Sequence, residues 1–407
     1  MTATDTHTFT NWAGNQHCTP TAIVQPTSVQ EVQEAVTRAT GDGLGVRVRG
    51  AGHSWTPLVV TDDVMLDVAR LHGVRSVDTE RSRVTVGAGT TVEQLGPLLW
   101  DHGLSLSNQG DIDAQTVGGA ISTATHGSGL QFTGFSGAVT AVELVTASGD
   151  VVRFDEGTPE LDGARTALGS LGVITAVQLQ AMPAYRLAER IDYWPLERVL
   201  DQWEFETSTR RHFSFFWGPF PGSLAMYGLG ADPEGITDPC FVKRYDQLAV
   251  DDLETVDGAD RLDRAYRVFP QPFDLEFYEL EYFVPFAVAL DAVDAARRVI
   301  LSYPEQRFPL EVRTIRQEPG WLSPMYGSDA VSLSVSGVPN TDYEPFLRAF
   351  DRALQPFSAR PHWGKMHYFD AERLQQVYPE YQRFVDLRRR MDPDGVFLND
   401  HLTEMVR

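Results

Sequence analysis

Only two cysteines, Cys18 and Cys240, occur in 407 residues. They stand far apart and neither has a neighbour at metal-ligand spacing. No disulfide framework and no metal site is suggested, and two free thiols in a reducing compartment are expected. Basic side chains are scarce as well: 34 against 56 acidic ones give a formal net charge of -22. That balance argues against a nucleic-acid backbone or an anionic membrane surface as partner, and leaves a neutral small substrate as the simpler expectation. No segment has about 18 uninterrupted apolar residues, so no membrane span is expected. The opening residues, Met1 to Thr8, carry neither a basic patch nor an apolar run, so no secretory signal is expected either. A cytoplasmic protein is the resulting expectation. Internal repeats and low-complexity tracts are absent too.

What is present is a chain of ordinary globular balance, 42% hydrophobic and 22% charged, long enough for about two or three domains. Its organising stretch is Val46-Arg-Val-Arg-Gly-Ala-Gly-His-Ser54. Two valines alternating with two arginines read as a half-buried strand, and Gly50 and Gly52 then admit a tight turn. In such a turn consecutive N–H groups converge on one spot, as in a backbone nest that holds phosphate. His53, at the rim, combines a near-neutral nucleophilic nitrogen with a rigid ring. A tight turn with a solvated histidine remains an equal reading of these residues alone.

Around it, Ser28 with Glu31 three residues on predicts a capped helix from Val29, and Thr91 caps a second one. Short strands are expected at 64–68, 74–77 and 83–86, a strand with a hairpin turn over 141–150, and a turn leading into a buried strand over 168–179. The block from Leu104 to Gly129 is crowded with Gly, Ser, Thr and Ala. Small residues in such number let backbone pass close to something bulky and flat, or else permit close helix packing. Past Pro183 the composition turns aromatic, with an acidic stretch at 251–254, and a second domain is expected. Glu311 and Arg313 alternate at period two and should project from one face of a strand, as a solvated salt bridge or as a grip on a polyhydroxylated substrate. His362, Trp363, Gly364 and Lys365 form a compact polar and aromatic group.

With these blocks in order, the chain resembles the FAD-dependent oxidases of the vanillyl-alcohol oxidase type, and within them the gulonolactone and arabinonolactone branch. The likeness rests on Arg49-Gly-Ala-Gly-His-Ser54, Asn108 to Gly119, Thr125-His-Gly-Ser-Gly129, Leu171 to Ile174, Glu311-Val-Arg313, His362-Trp-Gly-Lys365 and the Asn399-Asp-His-Leu tail. It implies an α+β fold: a two-subdomain FAD-binding domain over 1–185, an α+β cap over 186–358, and a segment 359–407 returning to the first domain. It implies FAD joined covalently through His53. Arg49, Gly50, Ala51, Gly52, Ser54, Gly110, Asp111, Thr116, Gly118, Gly119, Thr123, His126, Gly127, Val173, Ile174 and His362 would also contact the cofactor. Glu311, Arg313 and Lys365 fall at its catalytic and substrate positions, with Ser336 a further substrate contact.

The implied activity is oxidation of a sugar-lactone carbinol, with electrons passed to O2 or another acceptor. Gly110 falls where a larger residue would obstruct dioxygen, which points to an oxidase. Alditol oxidases share the Thr10-Asn-Trp-Ala-Gly-Asn15 arm, residues 321–327 and Arg360 to Lys365. Here Asp111, Ser334 and Ser336 depart from their pattern, which disfavours an open-chain polyol. A flavin- or sugar-binding protein without turnover is the remaining alternative.

Overall fold

The computed structural model describes residues 8–252, 256, 258–271 and 275–407. Residues 1–7, and Leu253 and Glu254 of the acidic stretch, lie outside the described residues. Three β-sheets frame the site. The first is parallel, with strands β1 (Ala22–Val24), β2 (Val46–Arg49) and β3 (Val64–Asp67) in the order β1-β3-β2. Parallel neighbours require a crossover, and helix α1 (Val29–Gly41) lies between β1 and β2 in the chain. Ser28 caps α1 by accepting the N–H of Glu31 at 3.2 Å. The Glu31 carboxylate reaches back one residue further than a standard box, to the N–H of Thr27 at 2.6 Å. Val32, Val36 and Ala39 bury one face of α1 in a cluster with Val46, Val64 and Val145.

The second sheet is antiparallel. Its strands β4 (Val74–Asp78), β5 (Arg83–Gly87), β6 (Val139–Val145), β7 (Val151–Asp155) and β8 (Val173–Gln180) run in the order β7-β6-β8-β5-β4. Helix α2 (Val92–Asp101) follows β5 and opens on a complete capping box, Thr91 with Gln94, both bonds 3.1 Å. The short helix α3 (Val117–Ser122) opens on Thr116.

The third sheet begins at Arg186, after the last strand of the second. Its strands are β9 (Arg186–Pro195), β10 (His212–Trp217), β11 (Pro239–Leu248), β12 (Arg261–Arg264), β13 (Tyr278–Pro285), β14 (Leu310–Ile315), β15 (Ala330–Gly337) and β16 (Arg360–Pro361). They are ordered β12-β9-β11-β10-β14-β15-β13-β16. The last strand carries this sheet to Pro361, past the boundary expected at 358. On β13, β14 and β15 the pleat separates two kinds of residue. Leu280 and Tyr282, Leu310 and Val312, and Val331, Leu333 and Val335 bury one face, packed with residues of helices α4 (Ala289–Leu301) and α5 (Glu344–Leu354). Glu279 and Glu281, Glu311 and Arg313, and Ser332, Ser334 and Ser336 occupy the other.

That polar face meets the N-terminal half of the chain. Gly129 N–H donates to Thr314 O at 2.6 Å, His212 Nδ1 lies 2.6 Å from Ser128 O, and Gln271 N–H donates to Asp111 O at 3.0 Å. The C-terminal tail closes back on the first sheet through Val46 N–H to Val396 O at 2.7 Å, and Asn399 Nδ2 to the carbonyls of Pro57 and Val60. Arg47 is the common anchor. Its buried guanidinium donates to Leu58 O, Leu168 O, Gly169 O and Phe397 O, which come from three separate segments. Burial pushes this guanidinium down to about 10, opposed by the charge of Asp392, so it remains the cation these carbonyls require.

Replacing Arg47 with Leu leaves four carbonyls without that donor, a loss of about 3 kcal/mol. Replacing Thr91 with Ala removes a cap worth about 1 kcal/mol. Thermal melts should therefore show a distinctly larger drop in midpoint for Arg47→Leu. A drop no larger than that of Thr91→Ala would show that the guanidinium is not the tie.

Candidate active site

The turn after β2 lines one side of a groove. Gly50, Ala51, Gly52, His53 and Ser54 face Thr116, Gly118, Gly119 and Thr123 across it, and Ile174 closes one end. Gly50 is set by close approach: a Cβ there would meet Thr116 Oγ1 at 2.1 Å. Gly52 is set by its backbone, with φ at +73°. Among the described residues none accepts a hydrogen bond from the N–H of Ala51, Gly52, His53 or Ser54. Four successive free donors, with the buried and unpartnered Gln115 Oε1 beside them in the lining, fit a cofactor that brings phosphates and a polar ring edge. Asn11, Gln16, Arg47, Gly169 and Gly172 also line the groove. These five were not singled out from sequence, although Arg47 and Gly172 stand within stretches already noted.

His53 is partly buried. Burial, and then the charge of Lys365, push its imidazole below the usual range, which keeps the ring neutral and nucleophilic at pH 7. Arg49 is not part of the lining; its guanidinium pairs with Asp67 at 2.7 Å. The Val173 side chain is in the core beneath, and its backbone pairs with Val145.

A second polar region lies on the charged, buried face of the third sheet. Lys243, Ser214, Arg313 and Ser332 stand in one row across four strands, and Glu311, Ser334 and Glu281 stand in the next. Arg313 holds Glu311 at 2.6 Å and approaches Asp111 at 3.9 Å; Lys243 holds Asp111 at 3.1 Å. Lys365 pairs with Glu279, whose other oxygen accepts from Ser334 Oγ at 2.6 Å. His126 Nε2 lies 3.2 Å from Glu281. His362 stands beside it, its ring 5.7 Å from that of His126 and its Nδ1 accepting the N–H of Gly364 at 3.1 Å. Ser336 is buried opposite Glu279.

These charges are unequal in state. Burial pushes the Glu311 carboxyl up to about 7; Arg313 pulls against this, and Asp111, Glu281 and Glu279 add repulsion. Burial also acts to raise Asp111, but Lys243 and Arg313 hold it below the usual carboxylate range. Burial opposes the charge on Arg313, yet Glu311, Glu281 and Asp111 keep it firmly protonated. His362 is driven well down by burial, against the pull of Glu281. One carboxyl poised near neutrality beside one permanent cation is the arrangement of an acid–base site.

Gly110, Asp111, His126 and Gly127 belong to this second region and are not part of the groove lining. A Cβ on Gly110 would meet His126 O at 2.9 Å, and one on Gly127 would meet Asn108 Oδ1 and Gln109 O at 2.3 Å. Close packing thus explains both glycines. Lys365 joins the two regions: its ammonium sits 4.3 Å over the Trp55 ring, and Trp55 N–H donates to Gly364 O at 2.7 Å. Lys243, Glu279 and Glu281 were missed from sequence. The alternation Glu279-Leu-Glu281, with Tyr282 following, was the available signal.

Residues 20–155 match the FAD binding domain family, and residues 239–405 match the D-arabinono-1,4-lactone oxidase family. The chain is 36% identical to an L-gulono-1,4-lactone dehydrogenase of Mycobacterium tuberculosis, covering 98% of this chain and 99% of that one. It is 32% identical to an alditol oxidase of a Streptomyces species (98% of each) and 28% identical to the L-gulonolactone oxidase of Mus musculus (98% of each). Its fold superposes on cholesterol oxidase from Brevibacterium sterolicum with a TM-score of 0.83 at 17% identity, over 99% of this chain and 98% of that one.

Gly50→Ala should lose bound flavin, because the new methyl meets Thr116. Adding Thr116→Ala removes the opposing Oγ1 and should restore part of it. Flavin per chain in the purified variants is the measurement; no recovery in the double variant would mean that the clash is not the cause.

Proposed function

Because the chain belongs to the FAD-binding family of sugar-lactone oxidases and dehydrogenases, we propose that it oxidises a carbinol of a gulono- or arabinono-type 1,4-lactone, with FAD held through His53. One observation carries the reading: Glu311 and Arg313, 2.6 Å apart on a buried strand face, lie in the ion cluster that Lys365 connects to the His53 turn. When bound, FAD supplies the two-electron acceptor for the hydride of the carbinol carbon. The chain has to take the hydroxyl proton and support the charge growing on its oxygen.

Glu311 is the base in this reading. A carboxyl at about 7 is free enough to accept a proton near neutrality and basic enough to be worth roughly 10²–10⁴ in rate. Arg313 cannot release its proton and so stabilises the developing oxyanion, a donor's contribution of about 10²–10³. Lys365 adds positive charge on the groove side. Ser336 and the flanking carboxylates accept or donate to sugar hydroxyls, which a ring with several hydroxyls needs in order to be oriented. Asp111, Ser334 and Ser336, where alditol oxidases differ, support the lactone over an open-chain polyol.

The reading includes O2 as acceptor. Gly110 supports it less than the sequence suggested, since its lack of a side chain also serves packing against His126. Peroxide formation by the unmodified protein in air, compared with turnover on a dye without oxygen, decides the acceptor: peroxide is expected, and its absence overturns that part.

Turnover on L-gulono-1,4-lactone and D-arabinono-1,4-lactone should exceed that on xylitol by about two decades in kcat/KM, the scale on which unpaired polar groups discriminate. Equal or reversed preference contradicts the lactone assignment. Below about pH 7 Glu311 keeps its proton and above it the base is free, so kcat/KM should rise through about 7 and then level. Glu311→Gln should lower it by about 10²–10⁴ and abolish that rise. A rise that persists in the variant assigns the base elsewhere.

A further inference from the structure

Residues 9–18 form an arm whose two short strands, Phe9–Thr10 and His17–Cys18, pair antiparallel. The arm is laid along the glycine turn. Trp12 N–H donates to Gly52 O at 2.8 Å, Asn11 Nδ2 to Ser54 O at 2.9 Å, and Asn15 Nδ2 and Gln16 Nε2 to Trp55 O at 2.9 and 3.0 Å. The backbone on both sides of His53 is thereby held. The imidazole itself is not held this way: among the described residues neither ring nitrogen of His53 has a hydrogen-bond partner. A histidine used as a nucleophile is ordinarily oriented by a hydrogen bond to its second nitrogen. Here the ring's orientation is left to packing.

That packing is Trp12. Its ring stacks on the His53 ring with centroids 5.5 Å apart and planes 24° from parallel. The edges of Trp55 and Phe277 meet Trp12 at 5.7 and 5.9 Å and fix it in turn. Trp12 is nevertheless 42% exposed, so core burial does not account for a tryptophan at this place.

We propose that Trp12 is the positioning residue for flavin attachment, holding the plane of the His53 imidazole so that one ring nitrogen faces the groove. The proposal rests on the reading that FAD is held covalently through His53. In that step a bond forms between an imidazole nitrogen and the carbon of a ring methyl of the isoalloxazine. The methyl loses a C–H bond and the imidazole its N–H, two protons leave, and the electron pair passes to dioxygen or to the protein's own electron acceptor. Neutral imidazole is the competent form, and burial keeps His53 in it. What Trp12 contributes is orientation, whose loss slows such a step without weakening cofactor binding in proportion.

The test compares full-length wild type, Trp12→Ala, Trp12→Phe and His53→Ala, scoring total flavin per chain and the fraction that stays with acid-precipitated protein. It also follows the growth of that fraction when flavin-depleted chains are incubated with FAD in air. Trp12→Ala should bind flavin but attach it about tenfold more slowly, the scale of a modest misorientation, and Trp12→Phe should attach it close to the wild-type rate. If Trp12→Ala is not recovered folded, Trp12→Leu, which keeps the apolar cover, has the same expectation. Attachment at the wild-type rate in the Ala or Leu variant overturns the proposal. Wild type that releases all its flavin into acid, or His53→Ala that retains it, overturns the covalent reading itself, a result distinguishable from the first.

Discussion

A buried charge must be answered by another charge or by hydrogen bonds, because isolation in a medium of low polarity costs several kcal/mol per ion. The polar face of the third sheet places Glu279, Glu281, Glu311, Arg313 and Lys243 under that constraint together. Their answers come largely from outside the sheet: Asp111 and His126 from the N-terminal half, Lys365 from the segment after β16. The two halves of the molecule are thus locked together by this ion cluster. Glu311 is the residue on which the balance falls short. It shares Arg313 with Asp111 while Asp111, Glu281 and Glu279 crowd it, and so it is pushed to about 7.

The groove is held by different means. Its walls are backbone and small side chains, so its shape depends on how closely strands can approach, at Gly50 against Thr116 above all. Arg47 fixes the strand that leads into the turn to the 168–169 turn and to the tail. The arm of residues 9–18 covers the turn from the other side. The likeness in fold to cholesterol oxidase spans the whole chain, so groove and third sheet belong to one architecture.

Local patterns were legible in the sequence. Strand and glycine turn at 46–54, the caps at Ser28 and Thr91, and the shared face of Glu311 and Arg313 each follow from spacing within a few residues. What escaped were residues whose role is created by contact between distant segments. Arg47 and Arg49 are indistinguishable as alternating arginines, yet one ties its strand to three other segments and the other pairs with Asp67. Lys243 looks like an ordinary strand lysine until Asp111 meets it across 132 positions of chain. Glu279 and Glu281 were legible in principle from their alternation, but a run of acids and aromatics reads equally well as a solvated edge. At Gly110 the structure adds a second reason for glycine, packing against His126 O, that the sequence did not reveal.

In the proposed function, groove and sheet face form one site, with Arg313 acting on a substrate while the cofactor is bound beside His53. Mixing the flavin-loaded protein with L-gulono-1,4-lactone in the absence of oxygen, and following the flavin absorbance through a single turnover, tests it most directly. The account predicts bleaching in the wild type and bleaching slowed by about 10² or more in Arg313→Met at unchanged flavin content. Equal bleaching rates in the two proteins, or no bleaching by lactone in the wild type, would contradict it.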